Sequence, residues 1–242
     1  MNLVDRIENY WSKRSDDFYD LRIEELNSDK RKLWEDEIIA NLPDKEHLKI
    51  LDVGCGPGFF SVILTSLGHE VIGIDLTKSM IEKADEIANM LDYDIDFRVM
   101  NAQELDFGDE EFDVVISRNL TWTLPDIEKA YKEWYRVLKK DGVLLNFDAD
   151  YGKVSFKEEL KTLGEEHAHS KIESDLMKEC DDIKEELVIS KRERPIWDKN
   201  YLQKIGFKSC KTDCKVSDRI YKVKDDFYNP TPMFRVCAIK SR

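Results

Sequence analysis

The sequence predicts an α/β fold built on a mostly parallel β-sheet. Between residues 49 and 148, short apolar runs typical of buried strands recur, and helical segments separate most of them. Strands that alternate with helices in this way form a parallel sheet with helices on both faces. Two later apolar segments have no helix between them, so we expect an antiparallel pair at the edge of the same sheet. The prediction is therefore a seven-stranded sheet.

The alternating region supplies five of these strands. The first is expected at Lys49–Val53, where an apolar run ends at Gly54. The polar segment from Ala102 to Glu111 is too short and too polar for a full helix, and we expect a loop there. The other strands are expected at residues 70–75, 95–100, 112–117 and 143–147, and helices at 59–67, 78–91 and 126–138.

The two ends of the chain and one internal segment lie outside this alternation. Apolar residues at helical spacing predict helices in residues 1–42, the second of which begins at about Asp29. Residues 197–205 are expected to form a helix, and residues 208–216 and 233–240 the two late strands. We expect a single domain over residues 1–242, divided into an N-terminal helical cover (1–44), a core (45–150), a helical cap insertion (151–195) and a closing helix with antiparallel strands (196–242).

The charge balance argues against a polyanionic partner. The 242 residues include 51 acidic and 38 basic side chains, which give a formal net charge of −13. Nucleic-acid binding needs a clustered basic surface. The basic residues near the C-terminus are better explained as a solvated face. We therefore expect no nucleic-acid partner.

Membrane segments and metal ligands are not apparent in the sequence. No apolar stretch reaches the roughly 18–20 residues that span a bilayer, and the acidic start is unlike a signal peptide. The five scattered cysteines suit free thiols in a reducing cytoplasm. Cys210 and Cys214 are too far apart for a zinc knuckle, and no second pair follows. We expect a cytoplasmic protein without a membrane partner or a metal, and its oligomeric state stays open.

The strongest motif is a glycine-rich turn after the first strand. Gly54, Gly56 and Gly58 alternate between a predicted strand and a predicted helix. Glycine allows a tight turn and a close approach of the backbone to a ligand, and the first such turn of an open sheet is where ligands bind. The dinucleotide pattern G-x-G-x-x-G fails, because its last glycine would be Phe59 or Ser61. A nicotinamide-dependent oxidoreductase is therefore only a minor alternative.

Asp75 ends the second predicted strand, 17 residues after Gly58. A carboxylate at this place can accept hydrogen bonds from both hydroxyls of a ribose. A lone aspartate at a strand end is more often a cap or a turn former. Its spacing from the glycine turn nevertheless favours ribose binding.

Four segments together resemble the successive motifs of class I S-adenosylmethionine-dependent methyltransferases. They are ILDVGCGPGFF, VIGIDLTKSMIEKA, MNAQELDFGDEEFDVVISRN and YRVLKKDGVLLNF. The resemblance covers residues 45–150, and it implies a Rossmann-like sheet with an antiparallel last strand and S-adenosyl-L-methionine as the cofactor. The segment ENYWSKRSDDFYD also resembles the cofactor-covering start of small-molecule members of the family.

The resemblance also implies a set of cofactor-binding residues. The glycine turn would lie against the methionine moiety, Asp75 would bind the ribose, and Leu76 and Met80 would flank the adenine. Asn101 stands where many members have an aspartate that accepts from the adenine amino group, and its carbonyl could accept without the charge assistance. The full set is Tyr10, Tyr19, Asp52, Gly54, Cys55, Gly56, Gly58, Asp75, Leu76, Met80, Asn101, Ala102, Gln103, Arg118 and Asn119.

The residues after the fourth strand usually face the reacting methyl group in this family. Arg118 could bind a carboxylate or phosphate of the acceptor, or it could pair with one of the many acidic side chains. Asn119 could contact the cofactor or the acceptor. The N-P-P-[YF] signature of members that methylate amide or ring nitrogens is absent at residues 119–122. His167 is a third candidate, as a general base, although a solvated helix explains it better, so the catalytic residue is unknown.

The predicted function is methyl transfer to a small-molecule acceptor by in-line displacement. The leaving group is a neutral thioether, so much of the acceleration can come from alignment. A base is needed only when the acceptor must lose a proton first. A protein or RNA acceptor is one alternative, and a non-catalytic module that binds S-adenosylmethionine is another.

Overall fold

One seven-stranded sheet organises the protein. The computed structural model describes residues 2–156, 174–223 and 225–241. The strands are β1 (Lys49–Val53), β2 (Glu70–Asp75), β3 (Asp96–Val99), β4 (Phe112–Arg118), β5 (Leu138–Ala149), β6 (Phe207–Asp213) and β7 (Met233–Lys240). They lie in the order β3-β2-β1-β4-β5-β7-β6. β1 to β5 pair in parallel and β7 is antiparallel to both of its neighbours, so the predicted fold class is confirmed.

Helices pack around this sheet because its central strands are apolar on both faces. Ile50, Leu51 and Val53 of β1 are all fully buried, as expected of a parallel strand that is covered from both sides. Within the described residues the helices are α1 (Leu3–Lys13), α2 (Ser15–Leu26), α3 (Asp29–Ile39), α4 (Phe59–Ser66), α5 (Lys78–Met90), α6 (Ile127–Val137), α7 (Ser174–Glu186), α8 (Ile196–Ile205) and α9 (Val216–Ile220).

Two strands differ from their predicted bounds for local reasons. β5 begins at Leu138, five residues earlier than predicted, because Asp141 and Gly142 form an irregularity within the strand instead of a turn before it. Asp141 adopts a left-handed backbone with φ 60° there. β6 ends at Asp213, whose side chain accepts from the backbone N–H of Lys215 at 2.8 Å and so turns the chain into α9.

The late strands form the expected antiparallel pair at the edge of the sheet. β7 inserts between β5 and β6, so the edge strand is β6, which comes earlier in the chain. The insertion gives β7 two hydrogen-bonded neighbours. That position agrees with its alternating, largely buried side chains.

Trp34 packs the N-terminal helices against the sheet and α4. Trp34 of α3 is fully buried, and its ring meets Phe60 and Phe147 edge-on, with centroids 5.1 and 5.3 Å away. Such edge-to-face contacts add to the burial energy of large rings. Ser28 caps the start of α3, since its hydroxyl accepts from the N–H of Lys30 at 3.1 Å. None of the described helices has the length and apolar character needed to cross a bilayer.

Candidate active site

The topology brings the predicted motifs to one edge of the sheet. β1 lies between β2 and β4, so the chain leaves the sheet in opposite directions on either side of it. The carboxyl ends of parallel strands on the two sides of such a point enclose a crevice. The glycine turn follows β1, Asp75 ends β2, and Arg118 ends β4. All three line the same cavity, which has a volume of about 240 Å³.

The glycine turn has a backbone that other residues adopt only with strain. Gly54 and Gly56 have φ values of 66° and 52°, in the left-handed region that glycine tolerates best. A Cβ on Gly54 would lie 2.7 Å from a side-chain carbon of Leu120. A Cβ on Gly56 would meet nothing within 4 Å, so the space above Gly56 is open. The turn is therefore closely packed against Leu120 at Gly54 and leaves open space for a ligand at Gly56.

Asp75 holds the glycine turn by hydrogen bonds. One carboxylate oxygen accepts from the backbone N–H of Gly56 at 3.1 Å, and the other accepts from the N–H of Thr77 at 2.9 Å. Burial raises the pKa of Asp75, and these two N–H groups oppose that rise. The side chain of Thr77 also hydrogen-bonds to this carboxylate, so three of its roughly four acceptor sites are occupied. The arrangement is compatible with ribose binding, which stays a prediction.

Asp52 is the second carboxylate on this side of the cavity. It is 2% exposed and accepts from the hydroxyl of Ser61 at 2.6 Å. Burial raises its pKa to about 7, the Ser61 bond opposes the rise, and the neighbouring charge of Asp75 adds to it. Asp52 lines the cavity together with Asp75 and the glycine turn.

Asn101 and Gln103 form a linked pair after β3. The Asn101 carbonyl accepts from the backbone N–H of Gln103 at 2.9 Å and from its side-chain amide at 3.2 Å. The Gln103 carbonyl accepts from the N–H of Asp126 at 2.6 Å. Gln103 therefore orients Asn101 and anchors it to the start of α6. Because the Asn101 carbonyl already has two donors, its amide N–H₂ is the freer end for a ligand.

Most of the predicted cofactor residues line the cavity. Gly58 and Tyr19 do not. Gly58 caps α4, and a Cβ on it would lie 3.0 Å from Phe97. The Tyr19 hydroxyl donates to Glu86 at 2.7 Å. His167 lies outside the described residues. The predicted residues that line the cavity are Tyr10, Asp52, Gly54, Cys55, Gly56, Asp75, Leu76, Met80, Asn101, Ala102, Gln103, Arg118 and Asn119.

Aromatic side chains form a wall of the cavity. Trp11 meets Tyr10, Phe18 and Trp122 at centroid distances of 5.0, 5.3 and 6.2 Å. The indole N–H of Trp122 donates to the backbone carbonyl of Asn119 at 2.9 Å. Asn119 itself has a left-handed backbone, with φ 55°. The wall therefore connects α1 and α2 with the turn after β4, where the predicted catalytic candidates stand.

Arg118 is held by a partner that the sequence did not reveal. Its guanidinium donates to both carboxylate oxygens of Glu25, at 2.8 and 3.1 Å, and to the hydroxyl of Tyr221 at 2.8 Å. Glu25 also accepts from Arg22, which lines the cavity too. Arg22 and Glu25 stand three residues apart on α2, a spacing that ordinarily indicates a surface ion pair. Their burial could not be predicted without the tertiary fold.

Asp148, at the end of β5, is sealed away from the cavity. It is fully buried and accepts from the backbone N–H of Trp122 at 2.9 Å and from Arg194 at 3.2 Å. Arg194 also donates to Asp198, at 2.8 and 3.0 Å. The contacts favour a structural role.

Metal ligands do not gather in the described part of the chain. Among residues 2–156, 174–223 and 225–241, no three histidine, cysteine, aspartate or glutamate side chains are arranged to hold an ion. The cysteines among them are unpaired. The expectation of no metal stays a prediction.

Residues 51–146 match the family model described as a methyltransferase domain. This segment contains the glycine turn, Asp75, Asn101 and Arg118. Residues 51–146 form a class I S-adenosylmethionine-dependent methyltransferase domain. The family resemblance and S-adenosyl-L-methionine as the cofactor of this family are thereby confirmed.

Curated relatives match the same part of the chain. An uncharacterized methyltransferase of Bacillus subtilis is 36% identical over 104 residues, 43% of this chain and 41% of its own length. A ubiquinone/menaquinone biosynthesis C-methyltransferase of Rickettsia prowazekii is 35% identical over 144 residues, 56% of this chain and 57% of its own length. The chain thus spans about half of the relatives that it matches.

A solved structure extends the likeness of the fold. It is phosphoethanolamine N-methyltransferase 2 of Haemonchus contortus in complex with S-adenosyl-L-methionine, and it superimposes with a TM-score of 0.61. The match covers 86% of this chain and 52% of that one, at 19% identity. At this identity the similarity is one of fold.

Proposed function

We propose that this protein transfers the methyl group of S-adenosylmethionine to a small-molecule acceptor bound in the cavity. The observation that carries the proposal is the position of the glycine turn, Asp75 and the aromatic wall around one cavity. A cofactor site and an apolar acceptor site would then share a single enclosed space. The family assignment of residues 51–146 supports the cofactor half of the proposal.

The residues around the glycine turn fit the cofactor. The open space at Gly56 accommodates a ligand against the backbone, and the Asp75 carboxylate can accept a further hydrogen bond from a ribose hydroxyl. The cavity face of Leu76 and Met80 is apolar, as an adenine ring requires. Bound there, the cofactor would supply an activated methyl group on a sulfonium.

The protein's own contribution is alignment and exclusion of water. An in-line displacement needs the nucleophile and the methyl carbon held in attack geometry, and rigid aromatic walls provide such positioning. Arg118 is poorly suited to act as a base, because the charge of Glu25 outweighs burial and raises the pKa of Arg118. Asn119 remains the candidate for orienting the acceptor.

A small acceptor suits the way the cavity is covered. Its lining comes from α1 and α2 on one side and from residues 226–230 on another, so several chain segments surround it. A folded macromolecule would have to displace them. The relatives include proteins named for ubiquinone or menaquinone biosynthesis and for phosphoethanolamine methylation, and these names also favour a small molecule. Cytoplasmic location stays a prediction from the cysteine content.

Calorimetry and a turnover assay test the proposal. S-adenosylmethionine should bind the wild-type protein, and Asp75→Ala should weaken that binding at least tenfold, because it removes a ribose acceptor and a hydrogen bond that holds the turn. Asp96→Ala is a matched control, since Asp96 lies on the exposed end of β3. Absence of cofactor binding at millimolar concentration would overturn the proposal. Labelled methyl that appears only in protein or RNA would overturn the small-molecule acceptor, and no transfer to any fraction of a cell extract would favour a non-catalytic module.

A further inference from the structure

In one wall of the cavity two arginines share a single carboxylate as their hydrogen-bonded anion. Arg22 of α2 and Arg118 of β4 both donate to the single carboxylate of Glu25. Glu25 is fully buried, and the two guanidiniums line the cavity. The other neighbours of Glu25 bring no further negative charge, since Trp34 donates its indole N–H at 3.3 Å. Two cations therefore share one anion in a poorly hydrated place.

Arg22 has donors to spare. In the described residues it makes one hydrogen bond, from Nη1 to Glu25, although a guanidinium carries five N–H groups. Its side chain is 12% exposed, and Arg22 is one of the residues that line the cavity. Arg118 likewise keeps a buried Nε that has no hydrogen-bond partner. Burial, and after it the charge of Arg118, lowers the pKa of Arg22, as expected of a cation without full compensation.

Aromatic faces hold both guanidiniums beside the glycine turn. The Arg22 guanidinium lies 5.8 Å from the ring centroid of Phe59, and that of Arg118 lies 4.9 Å from the same centroid. Phe59 is the residue that follows the glycine turn. The Arg22 guanidinium also lies 5.4 Å from the Phe18 ring. Such contacts fix a guanidinium in place without consuming its N–H donors.

The remaining acidic groups that line the cavity make no hydrogen bond to this pair among the described residues. Asp52 accepts from Ser61 and interacts with Arg118 only through its charge, and Asp75 holds the glycine turn. Arg14, a third cation of the lining, contacts Asp17 at 3.3 Å and Tyr10 at 3.0 Å. Asp226 completes the charged lining among the described residues. The proposed cofactor adds two cationic groups and one carboxylate, so its binding would increase the positive charge.

We propose that the methyl acceptor carries an anionic group, a carboxylate or a phosphate, which Arg22 binds with Arg118 as the second cation. This inference rests on the proposed function, because it assigns the substrate class of the same site. Guanidiniums match both anions as bidentate donors. The Glu25 carboxylate orients the two guanidiniums, and Arg22 directs its unused donors into the cavity. The rings of Phe18 and Phe59 would contact the apolar part of the acceptor next to its anionic group.

Binding of simple aromatic probes to the protein saturated with S-adenosylhomocysteine tests this inference. Benzoate and phenyl phosphate represent the two anions, and benzyl alcohol is the neutral probe of similar size. We expect at least one anion to bind at least tenfold more tightly than benzyl alcohol, by calorimetry. Arg22→Gln should abolish this preference and leave the affinity for benzyl alcohol unchanged. Arg22→Lys should retain part of the preference, since it keeps the charge and loses the fork.

Controls separate this inference from the proposed function. Arg31→Gln removes an arginine of α3 that pairs with Glu35 outside the cavity, and it should leave all three affinities unchanged. Affinity for S-adenosylhomocysteine is measured for every variant. If Arg22→Gln loses that affinity at least tenfold, Arg22 serves the cofactor carboxylate and the inference is overturned. Equal binding of anionic and neutral probes to the wild type overturns it as well, while the proposed function stands as long as the cofactor binds.

Discussion

Two buried charge clusters contain the same kinds of groups in opposite proportions. In one cluster, Arg22 and Arg118 share the carboxylate of Glu25. In the other, Asp148 and Asp198 share the guanidinium of Arg194. The first cluster lines the cavity and the second is closed to solvent, with Arg194 2% exposed and both aspartates fully buried.

The two clusters differ in how the groups in excess find hydrogen-bond partners. In the closed cluster hydroxyl groups supply the missing donors, since Tyr131 donates to Asp198 at 2.6 Å and Thr121 donates to Asp148. All three nitrogens of the Arg194 guanidinium have partners. In the open cluster the surplus is cationic, and donors of Arg22 are left over. A buried cluster in which every polar group has a hydrogen-bond partner indicates a structural role. Hydrogen-bond donors without a partner beside a cavity indicate a binding site.

The largest expected effect is on the closed cluster. Arg194→Met leaves two buried carboxylates without their cation, and we expect the free energy of unfolding to fall by about 3–5 kcal/mol. Equilibrium unfolding in urea at neutral pH measures the change. Arg31→Met is the matched control, with an expected loss of about 1 kcal/mol or less for a partly exposed ion pair. If Arg194→Met lowered the free energy of unfolding by less than about 1 kcal/mol, the cluster would not have a structural role.

The glycine turn and Asp75 could be located from the sequence, because local signals mark them. Glycines at alternate positions and an aspartate at a strand end have their meaning within a few residues of chain. The sheet order places Gly56 and Asp75 together, and their hydrogen bond at 3.1 Å follows from that order. Alternation of strands and helices was enough to predict the parallel sheet that carries both residues, and the structure supplied the strand order.

The acceptor side could not be predicted in the same way, because its contacts join distant parts of the chain. Glu25 and Arg118 are 93 residues apart, and Arg118 and Tyr221 are 103 apart. Arg22 resembles any surface arginine of a charged helix when only its neighbours are known. The closed cluster was equally hidden in the sequence, since the Asp148 side chain pairs with Arg194, 46 residues later. The spacing of residues in the sequence does not show which of the many acidic and basic side chains are buried next to each other.

A moderate effect is expected when the open cluster loses its anion. Glu25→Gln removes the charge partner of two guanidiniums, and we expect a loss of about 2 kcal/mol in the free energy of unfolding, because hydrogen bonds to charged groups contribute about this much. The loss should be smaller than in Arg194→Met, since Arg22 can reach water in the cavity. Benzoate should raise the melting temperature of this variant more than that of the wild type, as the vacated guanidiniums gain an anion.

Glu35→Gln is the control for this variant, because Glu35 pairs with Arg31 and Lys32 outside the cavity. Benzoate should shift the melting temperature of Glu35→Gln and of the wild type equally. If benzoate stabilises Glu25→Gln no more than the wild type, the two arginines do not form an anion site. A loss in Glu25→Gln as large as that in Arg194→Met would show that water does not reach the open cluster.

The smallest expected effect is an opposite pH dependence of the two clusters. Burial would raise the pKa of Glu25, but Arg118 and Arg22 outweigh it and the pKa is lowered. Its stabilising contribution is therefore present above about pH 4.3, the usual value for glutamate, and is lost as the pH falls through the lowered value.

Burial outweighs Arg194 at Asp148, and the pKa of Asp148 is raised. The folded state then retains this proton more readily than the unfolded state, so stability falls as the pH rises above about 3.9, the usual value for aspartate. We expect the wild-type advantage over Glu25→Gln to grow with pH in this range, and the advantage over Asp148→Asn to shrink. Both changes should be smaller than the loss of stability expected for Glu25→Gln at neutral pH. Urea unfolding between pH 3 and 6 measures both slopes, and slopes of the same sign would contradict the contrast between a cation-rich and an anion-rich cluster.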